Sequence, residues 1–478
     1  MNKPSEGRQD DKRQFHLLHD IGIRIVKITN LVLVAIPFAI CLVEYYLDQS
    51  QSGISYGQYT GIILMFMALY FFFGRVYDAF FISLKRISEM FYSQMLSILM
   101  ADGFMFFVLV LLKRGIPSIL PPVLALFGQC AVSVLWCLLA HRWYFSHFAK
   151  KKTGIVYDVR RDVEGLFGKY GLDRKFDVQF ICNVEECLSR DMGMLEGIDA
   201  VFLCGVHSRD RNIILKRCVS DDIVCYVIPR VGDVLMSGAR KMHMFHLPIL
   251  RAERYNPPIE FKIAKRLFDI LSSALAIILL SPVLLAVAIA IKACDGGPVL
   301  YKQARLTQNG KQFMVWKFRS MRVDAEKDGV AKLSSGASDD RVTPVGKVIR
   351  ACRLDELPQL FNIFGGSMSV VGPRPERPEI AAQYEKEIPE FSLRLQAKAG
   401  LTGYAQVYGK YNTQPYDKLQ MDLMYIAKPS IAEDIRIIFA TIKILFVPES
   451  TEGIATGGVT AMDSEDEEER IVNCEEAR

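Results

Sequence analysis

Residues 270–291 read ILSSALAIILLSPVLLAVAIAI, an apolar run broken near its middle by Ser281 and Pro282. A hydrocarbon core of ~30 Å takes about 20 such residues, so the run is long enough to span a bilayer. Proline inside a helix removes a backbone hydrogen bond and crowds the preceding turn, which predicts a sharp kink there, with Ser281 helping to satisfy the freed carbonyls. Lys262, Lys265 and Arg266 precede the run, and the segment after it is rich in Lys, Arg and acidic residues. Two topologies fit: a kinked helix that crosses, or one that enters and turns back, leaving both flanks on one face. Basic groups on both sides favour the second, a re-entrant membrane helix.

Toward the N-terminus lie four further apolar stretches: Ile28 to Tyr46, Ile62 to Phe81, Met95 to Leu112 and Pro121 to Leu139. They predict a four-helix transmembrane bundle within residues 21–148. Lys12, Arg13, Arg24 and Lys27 precede the first stretch, Arg75, Lys85 and Arg86 separate the second from the third, and Lys150, Lys151 and Lys152 follow the fourth. Excess positive charge marks cytoplasmic loops, which places residues 1–20 and everything after the fourth stretch in the cytoplasm. Lys113 and Arg114 run against this pattern. The N-terminus is polar, carries acidic residues and is followed by no small-residue cleavage site, so a cleaved signal peptide is not expected.

Composition agrees. Of 478 residues 51% are hydrophobic, an excess concentrated in these stretches, which excludes disordered and fibrous classes. A net charge of +5 is too weak over this length to suggest a nucleic-acid partner. The 11 cysteines include no CxxC, so neither a disulfide framework nor a zinc site is indicated.

Residues 149–256 turn soluble in character. Short β-rich runs (Thr153 to Tyr157, Phe176 to Cys182, Ala200 to Cys204, Ile223 to Ile228) alternate with helix-like segments (Val163 to Tyr170, Arg211 to Cys218), the pattern of an α/β Rossmann-like domain. After the first run the chain reads Asp158, Val159, Arg160, Arg161, with no Gly-rich phosphate turn, so a nicotinamide site is not expected. Residues 257–460 form a second α/β domain, which carries the re-entrant helix. Residues 461–478, including SEDEEER, read as an acidic disordered tail.

The last histidine is His246. Any chemistry beyond it must therefore use carboxylates, Lys, Tyr, Cys or metal-bound water. The densest candidate is RACRLDELPQLFN, residues 350–362, where Asp355 and Glu356 adjoin Arg350 and apolar neighbours. Adjacent acids repel each other and are costly to desolvate, a need that a divalent cation meets. Mg²⁺ uses one or two carboxylates together with phosphate oxygens and waters, which suits a diphosphate substrate. Lys302, Arg305, Lys311, Lys317 and Arg319 lie among alternating apolar residues, and Arg374 and Arg377 lie in the rigid turn GPRPERP, residues 372–378. Guanidinium forks match phosphate oxygens, and near a membrane surface this set is suited to grip a nucleotide diphosphate and a lipid phosphate.

Six ordered motifs now carry a resemblance. They are KR-x-x-D with the Ser-Pro break (Lys265, Arg266, Asp269, Ser281, Pro282), GP-x-x-x-x-Q-x-R (Gly297, Pro298, Gln303, Arg305), KFRSM (317–321), LDELPQLFN (354–362), SMSVVGPRPERPE (367–379) and AGLTGYAQVYGKY (399–411). The stretch from Lys265 to about Glu449 resembles the bacterial sugar transferases, and the whole chain resembles their long-form polyprenyl-phosphate hexose-1-phosphate transferases. Leu306-Thr307 stands where Val-Gly is more usual, and Cys352-Arg353 where Thr-Ser is often seen. The resemblance implies that Asp355 attacks the β-phosphate of a UDP-hexose, that Glu356 holds Mg²⁺, and that a covalent phosphosugar passes to undecaprenyl phosphate with release of UMP. It implies that Arg350, with Lys302, Arg305, Lys317, Arg319, Gln359, Arg374 and Arg377, forms the phosphate- and substrate-binding set. It further implies a bacterial inner-membrane enzyme working at the cytoplasmic face to begin a capsule, exopolysaccharide or O-antigen unit, with UDP-glucose or UDP-galactose as donor. The membrane helices also offer surface for a homodimer. A membrane scaffold of polysaccharide assembly with an inactive transferase domain is the rival reading.

Overall fold

The structure, a computed structural model, describes residues 6–46, 56–83, 85–113, 115–158, 172–189, 192–244, 246–322, 341–409 and 414–445. The acidic tail, the expected helix at 163–170 and residues 159–161 lie outside them. The chain forms two compact units, Met1–Ile228 and Pro229–Arg478.

The first unit opens with four long helices. These are α1 (Glu6–Cys41, continued by a π-helical turn Leu42–Tyr46), α2 (Tyr56–Val76), α3 (Ile87–Lys113) and α4 (Leu120–His147). Each contains a segment long and apolar enough to cross a membrane: His19–Tyr45, Tyr59–Val76, Ile87–Leu112 and Leu120–His147. Helix α1 packs on α2 and α4, and α3 on the same two. Buried amides join them. The Asn30 amide donates to Gln94 Oε1 (3.3 Å), and Tyr70 donates its hydroxyl to Asn30 Oδ1 (2.8 Å), linking α1, α2 and α3 where no water competes. Helix α2 stops at Val76, short of the Phe81 expected from hydropathy. Asp78 turns left-handed (φ 53°), Phe80 folds back against Gly74, and Lys85 Nζ donates to the carbonyls of Tyr77 and Asp78.

A four-stranded sheet follows: β1 (Lys151–Tyr157), β2 (Phe176–Asn183), β3 (Ala200–Cys204) and β4 (Val224–Ile228), with helices α5 (Val184–Ser189) and α6 (Ser208–Ser220). All strands are parallel, in the order β2-β1-β3-β4, with Thr153 opposite Ala200 and Ala200 opposite Val224. Val156, Val201, Leu203, Ile214 and Cys218 form one core, and Ile155, Phe176, Ala200 and Cys204 another. Burial on both faces explains why the central strands β1 and β3 carry nearly continuous apolar runs, while the edge strands β2 and β4 are only partly buried.

The second unit begins ahead of the composition change at 257. Helix α7 (Val231–Ser237) places Val231 and Val234 in a core with Leu419, Leu423 and Val371. An exposed hairpin, β5 (Arg240–Met244) with β6 (Leu247–Arg251), turns on left-handed His246. Next comes α8 (Ile259–Asp295), a single helix of 37 residues, about 55 Å long at 1.5 Å per residue. The helix runs on through the Ser-Pro pair. Pro282 frees the carbonyl of Ile278, four residues back, and Ser281 Oγ donates to it at 2.8 Å. One side of α8 packs on the α/β domain along its length: Ala276, Ile277 and Leu280 against Leu360 and Ile363, then Val287 and Ile291 against Phe318 and Ile349. Ile263, Leu267, Leu271, Leu275, Leu285 and Ile289 leave an exposed apolar stripe on the other.

Beyond α8 come the hairpin β7 (Leu300–Leu306) and β8 (Gln312–Phe318), α9 (Pro344–Ala351), α10 (Gln359–Gly365) and β9 (Ser369–Val371). Then follow α11 (Pro378–Glu387), β10 (Gly400–Thr402), α12 (Tyr404–Tyr408), α13 (Pro415–Ala427) and α14 (Ile431–Leu445). Strands β9 and β10 pair in parallel. The start of α8 is bolted to this domain by its charged residues. Lys265 Nζ donates to Asp434 Oδ2 (2.7 Å), and Arg266 donates to the carbonyls of Ile363 and Phe364 at the end of α10 (2.8 Å each). Buried Asp269 accepts from Ser369 Oγ and from the Val370 amide (3.0 Å each).

Candidate active site

Asp355 and Glu356 share one 3₁₀ turn, Leu354–Glu356, between α9 and α10. Arg353 makes the turn possible by adopting a left-handed backbone (φ 52°), uncommon outside glycine. Pro358 then leads into α10, at a helix start where a missing N–H costs nothing.

The two carboxylates are held differently. Glu356 Oε1 accepts from Lys317 Nζ at 2.9 Å and from Arg374 Nη2 at 3.0 Å. Burial alone would raise its pKa, but Arg374 and Lys317 outweigh burial and hold it well below the usual carboxylate range. Asp355 makes no hydrogen bond or ion pair among the described residues. Burial pushes its pKa up, against the pull of Lys317, while Glu356 adds to the rise and Arg350 and Arg374 oppose it. Glu356 is thus locked as an anion by two cations, and among the described residues none bonds Asp355 directly.

Lys317 and Lys302 lie on opposite faces of the β7–β8 hairpin, because Lys302 sits across from Trp316 and side chains alternate. Lys317 reaches Glu356, whereas Lys302 Nζ lies 5.0 Å from the centre of the Trp316 ring. Arg350 occupies the last turn of α9, close enough to act on Asp355. Arg319 is 8% exposed and lies so close to Gly297 that a Cβ there would overlap Nη1. Gln359 is buried at the start of α10. Arg305 braces the proline turn, donating to Pro375 O (3.1 Å) and Gln303 Oε1 (2.8 Å) with Glu376 at 3.8 Å. Burial lowers its pKa to about 10, and it stays charged at neutral pH. Arg377 occupies the N-cap position of α11. The structure therefore gathers Asp355, Glu356, Lys317, Arg374 and Arg350, puts Arg305 within electrostatic range of Arg374, Arg377 and Glu356, and turns Lys302 to the opposite face of the hairpin.

Three residues that the sequence reading did not assign support the cluster. Gln406 Oε1 accepts from Arg374 Nη1 at 2.9 Å. Arg394, 4% exposed, donates from Nε and Nη2 to Asp422 Oδ2 (2.9 and 2.7 Å) and from Nη2 to the Arg374 carbonyl (3.0 Å). Its Nη1 lies 3.6 Å from Glu376. Gln406 falls inside a quoted motif. Arg394 and Asp422 fall in none and meet only through the fold.

Among the described residues no group of three acidic, His or Cys side chains gathers as a metal shell. A divalent ion at the acid pair would thus take most of its ligands from phosphate oxygens and water, as Mg²⁺ does. Lys317 and Arg374 both bind Oε1 of Glu356, which leaves Oε2 as the fitting donor.

A membrane protein with an N-terminal helical region and an α/β domain, bearing a cation-flanked acid pair on a tight turn, is the class these features define. The chain belongs to the bacterial sugar transferase family, whose sequence model matches residues 260–448. It is 39% identical over 264 residues to a UDP-glucose:undecaprenyl-phosphate glucose-1-phosphate transferase of Klebsiella pneumoniae, covering 53% of this chain and 56% of that protein. It is 39% identical over 232 residues to a UDP-N-acetylgalactosamine-undecaprenyl-phosphate N-acetylgalactosaminephosphotransferase of Aeromonas hydrophila, covering 48% of this chain and 54% of the relative. An exopolysaccharide production protein, PSS, of Rhizobium leguminosarum bv. phaseoli is 42% identical over 202 residues, 40% of this chain and 97% of that protein. The chain thus spans about half the length of the first two relatives.

Proposed function

We propose that this protein transfers hexose 1-phosphate from a UDP-hexose to undecaprenyl phosphate at the cytoplasmic face of the bacterial inner membrane, as the first membrane step of a capsule, exopolysaccharide or O-antigen unit. The observation that carries the mechanism is the asymmetry of the acid pair. Asp355, ionised and without a bonded partner among the described residues, attacks the β-phosphorus of the donor. The bond from that phosphorus to the bridging oxygen breaks, UMP leaves with the electron pair, and an aspartyl phosphohexose remains. A phosphate oxygen of undecaprenyl phosphate then attacks the same phosphorus and the bond to Asp355 breaks, giving undecaprenyl-diphosphate-hexose and the free carboxylate. The incoming phosphate is already anionic, so no base is needed, in keeping with a domain that lacks histidine after His246.

Arg374, Lys317 and Arg350 supply positive charge where the transferring phosphoryl group gathers negative charge. Glu356 fixes two of them and would hold Mg²⁺ through Oε2, the ion contributing charge neutralisation of the diphosphate. For α8 we favour the re-entrant arrangement. Residues near its start, Lys265 and Arg266, and near its end, Val287 and Ile291, touch one and the same α/β domain, which supports both ends lying on one side of the bilayer.

The test is nucleotide release by the full chain in nanodiscs with undecaprenyl phosphate, Mg²⁺ and a panel of UDP-sugars. UMP formation that depends on one sugar and disappears in Asp355→Asn is the expected result. UDP as product would overturn the phosphosugar route, and unchanged lipid-linked product in the variant would overturn the role of Asp355.

A further inference from the structure

The four-stranded sheet of the first unit carries thiols that the reaction above does not use. Cys182, Cys187 and Cys218 lie in one buried core, and Cys225 packs against it. Cys182 is on β2 and Cys187 on α5, while Cys218 sits in the last turn of α6 and Cys225 is the second residue of β4. Among the described residues no three such groups make a metal shell. The thiols pair by hydrogen bonds instead, Cys182 with Cys187 and Cys218 with Cys225. The backbone builds the second pair. Asp222 turns left-handed (φ 57°) and the Ile223 amide donates to the Cys218 carbonyl at 2.8 Å, so the chain reverses from α6 into β4 and sets Cys225 against the helix.

The two pairs differ in their surroundings. Cys182 and Cys187 are 2% and 0% exposed, and the neighbouring acid Glu186 disfavours a thiolate at Cys187. Cys225 is only half-buried, on a strand at the edge of the sheet. Arg211 lies on the face of α6 that carries Ile214 and Cys218, by its three- and four-residue spacing, and acts electrostatically on Cys225. The Cys218 thiol donates to the Cys225 sulfur. That hydrogen bond, with Arg211, lowers the Cys225 pKa against the burial that raises it, and the same bond together with burial raises the pKa of Cys218. A half-exposed thiol beside a cation and a second thiol is the setting in which cysteines react with oxidants.

We propose that Cys225 and Cys218 are a reversible oxidation site for hydrogen peroxide, with Cys225 as the attacking sulfur and Cys218 as the resolving one. The Cys225 thiolate attacks one peroxide oxygen, the O–O bond breaks, and the departing hydroxide takes up a proton to leave as water, giving a sulfenic acid. The Cys218 sulfur, giving up its proton, then attacks the Cys225 sulfur. The S–S bond forms, the S–O bond breaks and a second water leaves, so the two thiols supply the two electrons that reduce the peroxide. A dithiol reductant reverses the reaction by thiol exchange.

The test is peroxide treatment of the full chain in nanodiscs, followed by N-ethylmaleimide, trypsin and mass spectrometry. Each pair falls within one tryptic peptide, CVSDDIVCYVIPR (218–230) and FDVQFICNVEECLSR (176–190), so the buried pair is the internal control. The first peptide should lose two hydrogens and both maleimide adducts about tenfold faster than the second, following its exposure and thiolate character, and dithiothreitol should restore them. In Cys218→Ser, Cys225 should stop at the sulfenic acid and be captured by dimedone. Equal rates for the two peptides, or a first peptide that keeps its free thiols, would overturn the site in the unmodified protein. A Cys218→Ser protein without a dimedone adduct on Cys225 would overturn the roles assigned to the two sulfurs.

Discussion

The contact of Arg394 with Asp422 and the Arg374 carbonyl invites a perturbation whose size follows from burial. Arg394 is 4% exposed and Asp422 2%, and their atoms meet at 2.7 and 2.9 Å. Removing one member of such a pair strands the other charge in the interior, at a cost of about 3–5 kcal/mol. Against a domain stability of roughly 5–15 kcal/mol, Arg394→Met or Asp422→Leu alone leaves the second unit marginal. Replacing both by apolar residues leaves Glu376, which keeps Arg305 at 3.8 Å, and takes one donor from the Arg374 carbonyl. The double variant Arg394→Met/Asp422→Leu should therefore lose at least about 2 kcal/mol less than the sum of the single losses. Pulse proteolysis of the full chain in nanodiscs measures the cycle.

Activity should not recover with stability. Arg394 Nη2 fixes the Arg374 carbonyl at 3.0 Å, and Arg374 in turn bonds Glu356. A displacement of about 1 Å in a positioned group costs on the order of 10²-fold in rate, so the double variant should fold and yet release UMP roughly 10–100 times more slowly. Additive stability losses, or a double variant with wild-type kcat, would refute the reasoning.

Three more outcomes follow from particular contacts. As the proposed nucleophile Asp355 must be ionised to attack, and its pKa is raised, so UMP release should fall as pH drops through a value above 3.8. Because Lys317 is the strongest influence lowering that pKa, Lys317→Met should move the acid limb upward, read from the pH–rate profile; a limb that stays put or moves down counts against the assignment. A Cβ at Gly403 would overlap the Gly372 carbonyl, so Gly403→Ala should destabilise the second unit by about 1–3 kcal/mol, and an unchanged unfolding midpoint would contradict the packing around α12. Cys294 is an exposed thiol at the far end of α8. In a Cys352→Ser/Cys474→Ser background, a membrane-impermeant maleimide should label it in inside-out vesicles and leave it unlabelled in right-side-out ones, and the reverse pattern would mean that α8 crosses.

What was legible in the sequence divides by the range of the interaction that fixes it. The central strands of the first unit were readable because a strand buried on both faces is written as a local apolar run, and β3 falls on the expected residues, Ala200–Cys204. The end of α2 was not, because hydropathy continues through Phe81 while the left-handed turn at Asp78 depends on Phe80 and Lys85 folding back. The β5–β6 hairpin was not legible because both strands are short and largely exposed.

The acid pair shows the same division at the level of single atoms. Asp355 and Glu356 are equivalent in composition, and adjacency alone says only that the two repel. What separates them is long-range: Lys317 arrives on β8 and Arg374 on the proline turn, and both reach Glu356 Oε1. Arg353 contributes locally by turning the chain so that the neighbouring carboxylate misses both cations. Assigning nucleophile and electrostatic anchor from physics therefore required the fold. It also explains why the supporting Arg394–Asp422 pair, 28 residues apart and outside every motif, left no mark in the sequence: a buried ion pair is defined by where two helical segments meet, and each of its members taken alone reads as a surface charge.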